Sequence, residues 1–486
     1  MKNVKNILGY LCGIIFVAGL TLFIPSLVAI YYKETSEAIF FLAVASVVSI
    51  IGFLVRVKFK PREATPTEAM VISALGWLIV SFIGSIPYIV IAKMSLIDSY
   101  FEAMSGFTTT GMTMISDVEN LPHSLLFWRA FTQWVGGVGI ILLFILFIPH
   151  SGLGIGVWRL YRAEAREERL TARIADTVRR IWLIYLFYTL LCSLLLWATG
   201  FNYFEALTHA FTTLSTGGFS TRNLSIGSFK NPYAEAIITV FMLLGATNFL
   251  VHMRIFTKKF SAAIKSIEVK TALLIVAVSS LLIAYDLSFQ SSHSFLDSLR
   301  VSIFQVTSIL TTTGYTTANI IDFPPLSKAI LMILMIIGGG IGSTAGALKI
   351  IRIVILTKFI HTTLLRTILP PGAIKPLRLG KNVVEDDEIL RVAGFFIIYV
   401  FLLAVSGFIL TLHGFEPFSA FSAVFSAQGN VGPCFMPITS SLPPIPKIVL
   451  IFGMWAGRLE IIPVLVLLSP DTWKEFRRLG KRKPEA

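Results

Sequence analysis

Four short segments of this chain are near-copies of one another: Phe-Thr-Thr-Thr-Gly-Met-Thr at 107–113, Leu-Ser-Thr-Gly-Gly-Phe-Ser at 214–220, Leu-Thr-Thr-Thr-Gly-Tyr-Thr at 310–316 and Gln-Gly-Asn-Val-Gly-Pro-Cys at 428–434. The glycines Gly111, Gly218, Gly314 and Gly432 fall at matching places. Glycine reaches positive φ at little cost, so successive backbone carbonyls can turn to one side. Carbonyl dipoles without carboxylates suit a weakly hydrated monovalent cation, whereas calcium and magnesium sites recruit Asp and Glu. The candidate ligands are Thr109, Thr110 and Gly111 in the first segment and Thr216, Gly217 and Gly218 in the second. Thr312, Thr313 and Gly314 follow in the third, and Asn430, Val431 and Gly432 in the fourth. Wrapped about one axis, four such loops would form a ring of carbonyls that replaces an ion's hydration shell.

Something must hold these loops at depth. The chain is 55% hydrophobic and 14% charged, with mean hydropathy +0.79, which is the composition of an integral membrane protein. Apolar runs long enough to span lie near 6–31, 38–58, 69–92, 124–149, 181–200, 233–253, 271–289, 327–361, 391–412 and 446–468. The first is too long for the apolar core of a signal peptide and reads as a retained helix. One threonine-glycine loop lies between the third and fourth runs, the fifth and sixth, the seventh and eighth, and the ninth and tenth. The expected fold is an all-α integral membrane protein with two leading transmembrane helices and four fused helix–pore loop–helix repeats in pseudo-fourfold arrangement. The expected boundaries are 1–64 for the leading pair, then 65–158, 159–262, 263–380 and 381–486 for the repeats.

The stretch before each loop supports the repeat. Ser-Leu-Ile-Asp-Ser-Tyr-Phe-Glu from Ser95 aligns without gaps on Ser-Leu-Arg-Val-Ser-Ile-Phe-Gln from Ser298, at the same distance from Gly111 and Gly314. Gly-Phe-Asn-Tyr-Phe from Gly200 aligns likewise on Gly-Phe-Glu-Pro-Phe from Gly414. Each stretch is too short to span. It fits a half-helix whose C-terminal end, with its partial negative charge, points to the membrane centre and favours a cation.

Net charge is +14. Basic residues gather at 56–62, 159–180, 254–270, 349–391 and 474–483, while the alternate loops are neutral or acidic. By the positive-inside rule the basic loops and both termini are cytoplasmic. Clusters separated by membrane spans face lipid headgroups rather than nucleic acid. Cys12, Cys192 and Cys434 form no disulfide framework and no metal spacing. His123, His150, His209, His252 and His361 are scattered and read as structural or interfacial. No catalytic constellation, Walker motif or strand-led glycine fingerprint is present, so neither an enzyme nor a nucleotide-binding cofactor site is expected in this chain.

The eighth run is interrupted by Gly338, Gly339, Gly340, Gly342, Ser343, Thr344 and Gly346, which read as a broken helix rather than a small-residue packing surface. Arg458 lies in another apolar run, where a charge needs a cavity or a partner; Glu460 is the nearest carboxylate in sequence. Arg129 is expected to brace the outer end of its helix, and Lys349 to mark the cytoplasmic end of the broken one.

Thr312-Thr313-Gly314-Tyr315 resembles a shortened potassium-channel signature with one glycine. Single-glycine loops in four fused repeats are similar to the Trk/Ktr/HKT superfamily of potassium transporters. The leading pair, the run Trp-Arg-Ala-Phe-Thr-Gln-Trp-Val-Gly-Gly from Trp128, the glycine-rich segment 338–346 and Gly457-Arg458-Leu459-Glu460 resemble its TrkH branch. The resemblance implies a filter at the four glycines with potassium as the transported ion. It further implies a gate in the 338–346 loop, Arg458 as an electrostatic barrier in the pore, a homodimer, and a cytosolic TrkA-type ring that binds nucleotide. Cys434 and Gly429 depart from the family's usual flanks of the fourth loop. The alternative is a secondary transporter of another cation coupled to Na+ or H+; repeats that all run the same way speak against the inverted symmetry of such folds.

Overall fold

Lipid offers the backbone no hydrogen-bond partners, so apolar runs in a membrane close into helices. The computed structural model describes residues 2–59, 61–147, 170–257, 265–290, 294–370, 375–380 and 382–479. His150, the basic positions Arg159, Arg162, Arg166, Arg169, Lys258 and Lys259, and the tail from Gly480 lie outside the described residues. Six helices are long and apolar enough to cross a membrane: Asn3–Tyr31, Thr35–Lys58, Pro66–Val90, Asp176–Ala198, Ile267–Gln290 and Asp386–Leu412. The helix His123–Phe147 adds 25 residues. A two-residue antiparallel pair, Arg378↔Val383 and Leu379↔Asn382, is the only strand pairing among the described residues.

Short half-helices precede the four loops: Leu96–Phe107, Tyr203–Leu214, Phe295–Leu310 and Pro417–Gly429. Their starts are capped by side chains. Ser95, Asn202 and Ser294 accept from the backbone N–H of Asp98, Glu205 and Asp297, and Glu416 from that of Ser419. These bonds satisfy donors that a helix N-terminus otherwise leaves open.

Three of the four return spans are broken, and here the structure corrects the reading of unbroken runs at 233–253 and 446–468. Pro232–Gly245 and Phe249–Phe256 meet at 101°, and Pro444–Arg458 and Ile462–Leu468 at 115°. The eighth run splits, as expected, into Pro325–Ile337 and Ile350–Ile368. Hydropathy did not reveal the two bends, because the runs around them stay apolar. At the first, Asn248 caps the second piece of its pair through Leu250 N at 2.9 Å, and Ala246 O accepts from Gly340 N of the third repeat at 2.9 Å. Glu460 and Ile461 take positive φ of 55° and 62°. The first run also carries a turn at Leu22, between Lys2–Thr21 and Phe23–Tyr31.

Packing closes the repeats into a ring. One apolar cluster joins the fourth repeat to the first through Met454, Trp455, Leu403, Phe101 and Met104. Trp455 donates its indole N–H to Ala74 O at 3.0 Å, and Lys447 pairs with Asp98 at 2.5 Å across the same seam. A second cluster sets Tyr315 and Phe304 of the third repeat against Tyr185, Leu214 and Phe241 of the second. A third seats the leading pair on Trp128, Phe131 and Tyr88 of the first repeat.

Between helices in lipid the driving force is close packing rather than water exclusion, so small residues mark the contacts. A Cβ on Gly136 would lie 2.0 Å from Phe107 O, and one on Gly457 would lie 1.9 Å from Gln428 O. One on Gly245 would lie 2.8 Å from Leu214 O. These are the same contact in three repeats: the return helix touches a carbonyl at the end of the half-helix, two residues before the left-handed residue. Gly457→Ala therefore removes the folded, monodisperse protein or lowers its melting temperature sharply in detergent. Gly394→Ala, where nothing lies within 4 Å of the added methyl, leaves it unchanged or gains about 0.5–1 kcal/mol from helix propensity. Thermal unfolding followed by size-exclusion chromatography distinguishes the two; equal behaviour would refute the packing argument.

Candidate ion-conduction site

Each half-helix ends in the same backbone motif. The N–H of Thr109, Thr216, Thr312 and Asn430 reaches back three residues, to Gly106, Thr213, Ile309 and Ala427, at 3.0–3.1 Å. The next N–H reaches back five: Thr110 to Ser105, Gly217 to Thr212, Thr313 to Ser308 and Val431 to Ser426, at 2.8–2.9 Å. This is the Schellman termination, which puts one residue in the left-handed region. Here φ at those residues is 52°, 52°, 56° and 54°. Three are threonines, for which a left-handed conformation is a true outlier. Two residues on, Gly111, Gly218, Gly314 and Gly432 take φ of 83°, 76°, 85° and 106°.

The loops close on one another in cyclic order. A Cβ on Gly111 would lie 2.3 Å from Gly217 O, one on Gly218 2.0 Å from Thr313 O, one on Gly314 2.0 Å from Val431 O, and one on Gly432 2.7 Å from Thr110 O. Repeat one touches two, two touches three, three touches four and four touches one. Eight of the twelve candidate residues make these contacts, Thr109, Thr216, Thr312 and Asn430 standing at the helix ends just before them, and no side chain fits at the four glycines without displacing a neighbouring carbonyl.

A polar cuff braces the ring. Gln133 donates to Gly217 O at 2.7 Å and accepts from Phe219 N at 3.0 Å, so the first repeat's return helix holds the second loop. Tyr315 hydrogen-bonds through its hydroxyl to Thr212 Oγ1, and to His209 O at 3.2 Å. Asn430 donates to Thr110 Oγ1 at 3.0 Å and to Met454 O at 2.9 Å. Glu102, His209 and Gln305 each stand nine positions before the ring glycine of their repeat. Glu102 accepts from Met114 N at 2.9 Å, His209 Nε2 lies 3.0 Å from Ser220 Oγ, and Gln305 donates to Ala318 O at 3.2 Å. Arg129 does more than brace a helix end. It is buried, pairs with Glu102 at 2.9 Å, donates to Ser220 O at 3.2 Å and lies 4.2 Å over the Phe219 ring. Hydrogen bonds from Asn223 and Asn120 hold the exposed Asp117 carboxyl below its ordinary range, so it stays charged.

Beneath the ring sits the break in the eighth run. Thr344 Oγ1 donates to Leu214 O at 3.0 Å and to Gly245 O at 2.9 Å, and Thr216 Oγ1 donates to it at 3.2 Å. Gly346 N donates to Thr312 Oγ1 at 2.8 Å, and a Cβ on Gly346 would lie 2.4 Å from Gly429 O. Gly340 N donates to Ala246 O at 2.9 Å, and Gly342 O accepts from Phe249 N at 3.1 Å. The bend of the second repeat thus holds the loop of the third. Arg458, 2% exposed, donates to Thr344 O at 2.7 Å and Gly136 O at 3.0 Å. Loop and arginine together touch all four repeats beside the ring.

One expectation changes and one alternative falls away. Arg458 is not paired with Glu460: that carboxylate binds Arg352 at 2.5 Å. Lys349 is not at a cytoplasmic end. It is 2% exposed, with φ of 76°, and its ammonium hydrogen-bonds to Ala345 O inside the break. The charge is buried because the helix restarts there rather than ending. Residues unforeseen from sequence are Gln133, Glu102, Asn248 and Glu268, the last accepting from Ile341 N at 2.9 Å. Gln133 carried a signal, an amide inside an apolar run; Glu102 and Gln305 carried one in the repeat alignment.

A family model described as TrkH, cation transport protein, matches residues 35–474. The uncharacterized cation transporter MJ1485 of Methanocaldococcus jannaschii is 37% identical over 99% of this chain and 98% of its own length. The Trk system potassium uptake protein TrkH of Escherichia coli K12 is 33% identical over 98% of this chain and 99% of its own. The crystal structure of the potassium transporter TrkH from Vibrio parahaemolyticus superposes with a TM-score of 0.89 at 32% identity, covering 97% of this chain and 99% of that one. Sequence, ring geometry and whole-chain superposition converge, and the chain belongs to the TrkH family of cation transport proteins.

Proposed function

We propose that this protein takes up potassium through the axis of the four-loop ring. The observation that carries the reading is the cyclic contact of each filter glycine with the next repeat's carbonyl. Four half-helix C-termini converge on that ring and bring partial negative charge without a carboxylate. Such an environment favours a monovalent ion that sheds its water easily. The potassium uptake proteins among the relatives support the choice of ion.

Basic clusters at 254–270 and 349–391 support cytoplasmic termini and entry from the opposite face. The membrane potential then drives inward flow, at about 2.3 kcal/mol per charge per 100 mV. Gly338, Gly339, Gly340, Gly342, Ser343, Thr344 and Gly346 form the gate, with Arg458 repelling cations beneath the filter. The helix Ile350–Ile368 continues directly from this plug. A pull on its far end by a cytosolic TrkA-type nucleotide-binding ring would withdraw the plug from below the filter. That partner and the homodimer rest on the family resemblance.

Rubidium uptake into proteoliposomes holding the purified chain tests the path. Potassium should compete strongly and sodium weakly. Gly314→Ser, which pushes a side chain into Val431 O, should lower the potassium-over-sodium ratio by about tenfold, or about 1.4 kcal/mol. An unchanged ratio would mean the ring is not the ion path. Arg458→Gln removes a charge and loosens the bond to Thr344 O, so uptake without any partner should rise several-fold. A fall in uptake with selectivity intact would overturn its role as barrier.

A further inference from the structure

The leading pair of helices does not pack flush against the first repeat. A cavity of about 520 Å³ opens between Lys2–Thr21, the end of Thr35–Lys58, Pro66–Val90 and His123–Phe147. That volume is in the range, roughly 300–1,000 Å³, of sites that enclose small apolar ligands. Gly9, Gly13, Gly76 and Gly139 line it. At Gly9 and Gly76 neighbours pack close, since a Cβ there would lie 2.7 Å from Phe59 O and 3.1 Å from Ile14; at Gly13 and Gly139 the missing side chain leaves space. A Cβ on Gly13 would meet nothing nearer than Arg56 at 3.9 Å, and one on Gly139 nothing nearer than the Trp77 ring at 3.5 Å. From Gly9 to Thr21 the wall runs thirteen residues, about 18 Å at a helical rise of 1.5 Å per step.

The polar groups of the wall are unequal. Ser73 donates to Ala69 O, Thr21 to Ala18 O and Tyr10 to Arg62 O, at 2.7–2.9 Å. Those hydroxyls are already satisfied by backbone. The Arg56 guanidinium has no hydrogen bond or ion pair among the described residues, and the side chain lies 3.9 Å from where a Cβ on Gly13 would stand. The neighbouring Arg62, by contrast, is paired with Glu68 at 2.9 Å. A long apolar channel with one unpaired cation at its basic end is complementary to an anionic headgroup on an apolar chain. A zwitterionic headgroup brings its own cation and gains less from Arg56.

We propose that this cavity holds an acyl chain of one anionic phospholipid, with its phosphate on Arg56. The inner end of the cavity is formed partly by Phe107 and Gly136. Gly136 O is the carbonyl that holds Arg458. The tail therefore braces the backbone behind the first filter loop from the lipid side, a consequence that rests on the functional reading above, whereas the binding itself does not.

Native mass spectrometry of the full chain, titrated with phosphatidylglycerol or phosphatidylcholine, reads binding without any transport. One phosphatidylglycerol should persist when bulk detergent and looser lipids are stripped, in preference to phosphatidylcholine. Arg56→Gln should weaken phosphatidylglycerol by about fivefold, the worth of one basic residue at an anionic surface, and leave phosphatidylcholine unchanged. Gly13→Leu and, independently, Gly139→Leu should displace the tail and lose the retained lipid of either kind. Equal retention of the two lipids by the unmodified chain, or full retention by a filled variant that still elutes as a folded species, would overturn the site. Normal lipid binding in a preparation with no rubidium uptake would leave the site standing and overturn the transport reading alone.

Discussion

A helix that ends inside a membrane leaves carbonyls that lipid cannot satisfy, and the architecture of this chain follows from keeping those groups within protein. The four half-helices turn their C-termini inward and close them with one repeated termination. A left-handed residue is needed at each closure, and three of the four are threonines. A non-glycine residue there costs about 1–2 kcal/mol, so the surroundings must hold it. They do so by contact: return helices bearing glycine approach a carbonyl at the end of the half-helix in the first, second and fourth repeats. The filter ring is the inner edge of that packing rather than a loop hung from it.

Below the ring the backbone again leaves regular structure, and again its polar groups stay inside protein. The loop from Gly338 to Lys349 exchanges hydrogen bonds with the bend of the second repeat and with threonines of the filter. Arg458 adds two bonds to carbonyls and no carboxylate partner. A buried guanidinium held by neutral acceptors keeps its field, which a neighbouring carboxylate would cancel. The nearest candidate for such cancellation, Glu460, is held by Arg352, which also lies 4.5 Å over the Phe395 ring.

Much of this was legible in the residues. The four filter segments, their half-helices and the broken eighth run are local patterns: a glycine at fixed offset, a capping residue, a cluster of small residues. The bends after Gly245 and Arg458 were not legible, because they depend on what the neighbouring repeat offers. Ala246 O turns outward only because Gly340 N is there to meet it. Lys349 misled for a related reason. A lysine at the end of an apolar run ordinarily marks the membrane surface, but this one stands where a helix begins again inside the protein. Gln133 sat in plain view within a motif, yet its two bonds cross to another repeat 84 and 86 residues away.

The fusion of the repeats into one chain has a geometric consequence. In an assembly of four identical subunits, any segment placed on the axis is present four times, and a loop that fills the space beneath the filter would collide with its copies. A single chain escapes this multiplicity. Here one quarter contributes the loop from Gly338 to Lys349, another contributes Arg458, and a third keeps its return helix unbroken through Gly136. On the proposed function, fourfold likeness would serve the ion, which needs equivalent oxygens, and unlikeness would serve closure, which needs one object in the middle. The chain holds both because each quarter can change its sequence alone, as Asn430 has done where the other three have threonine.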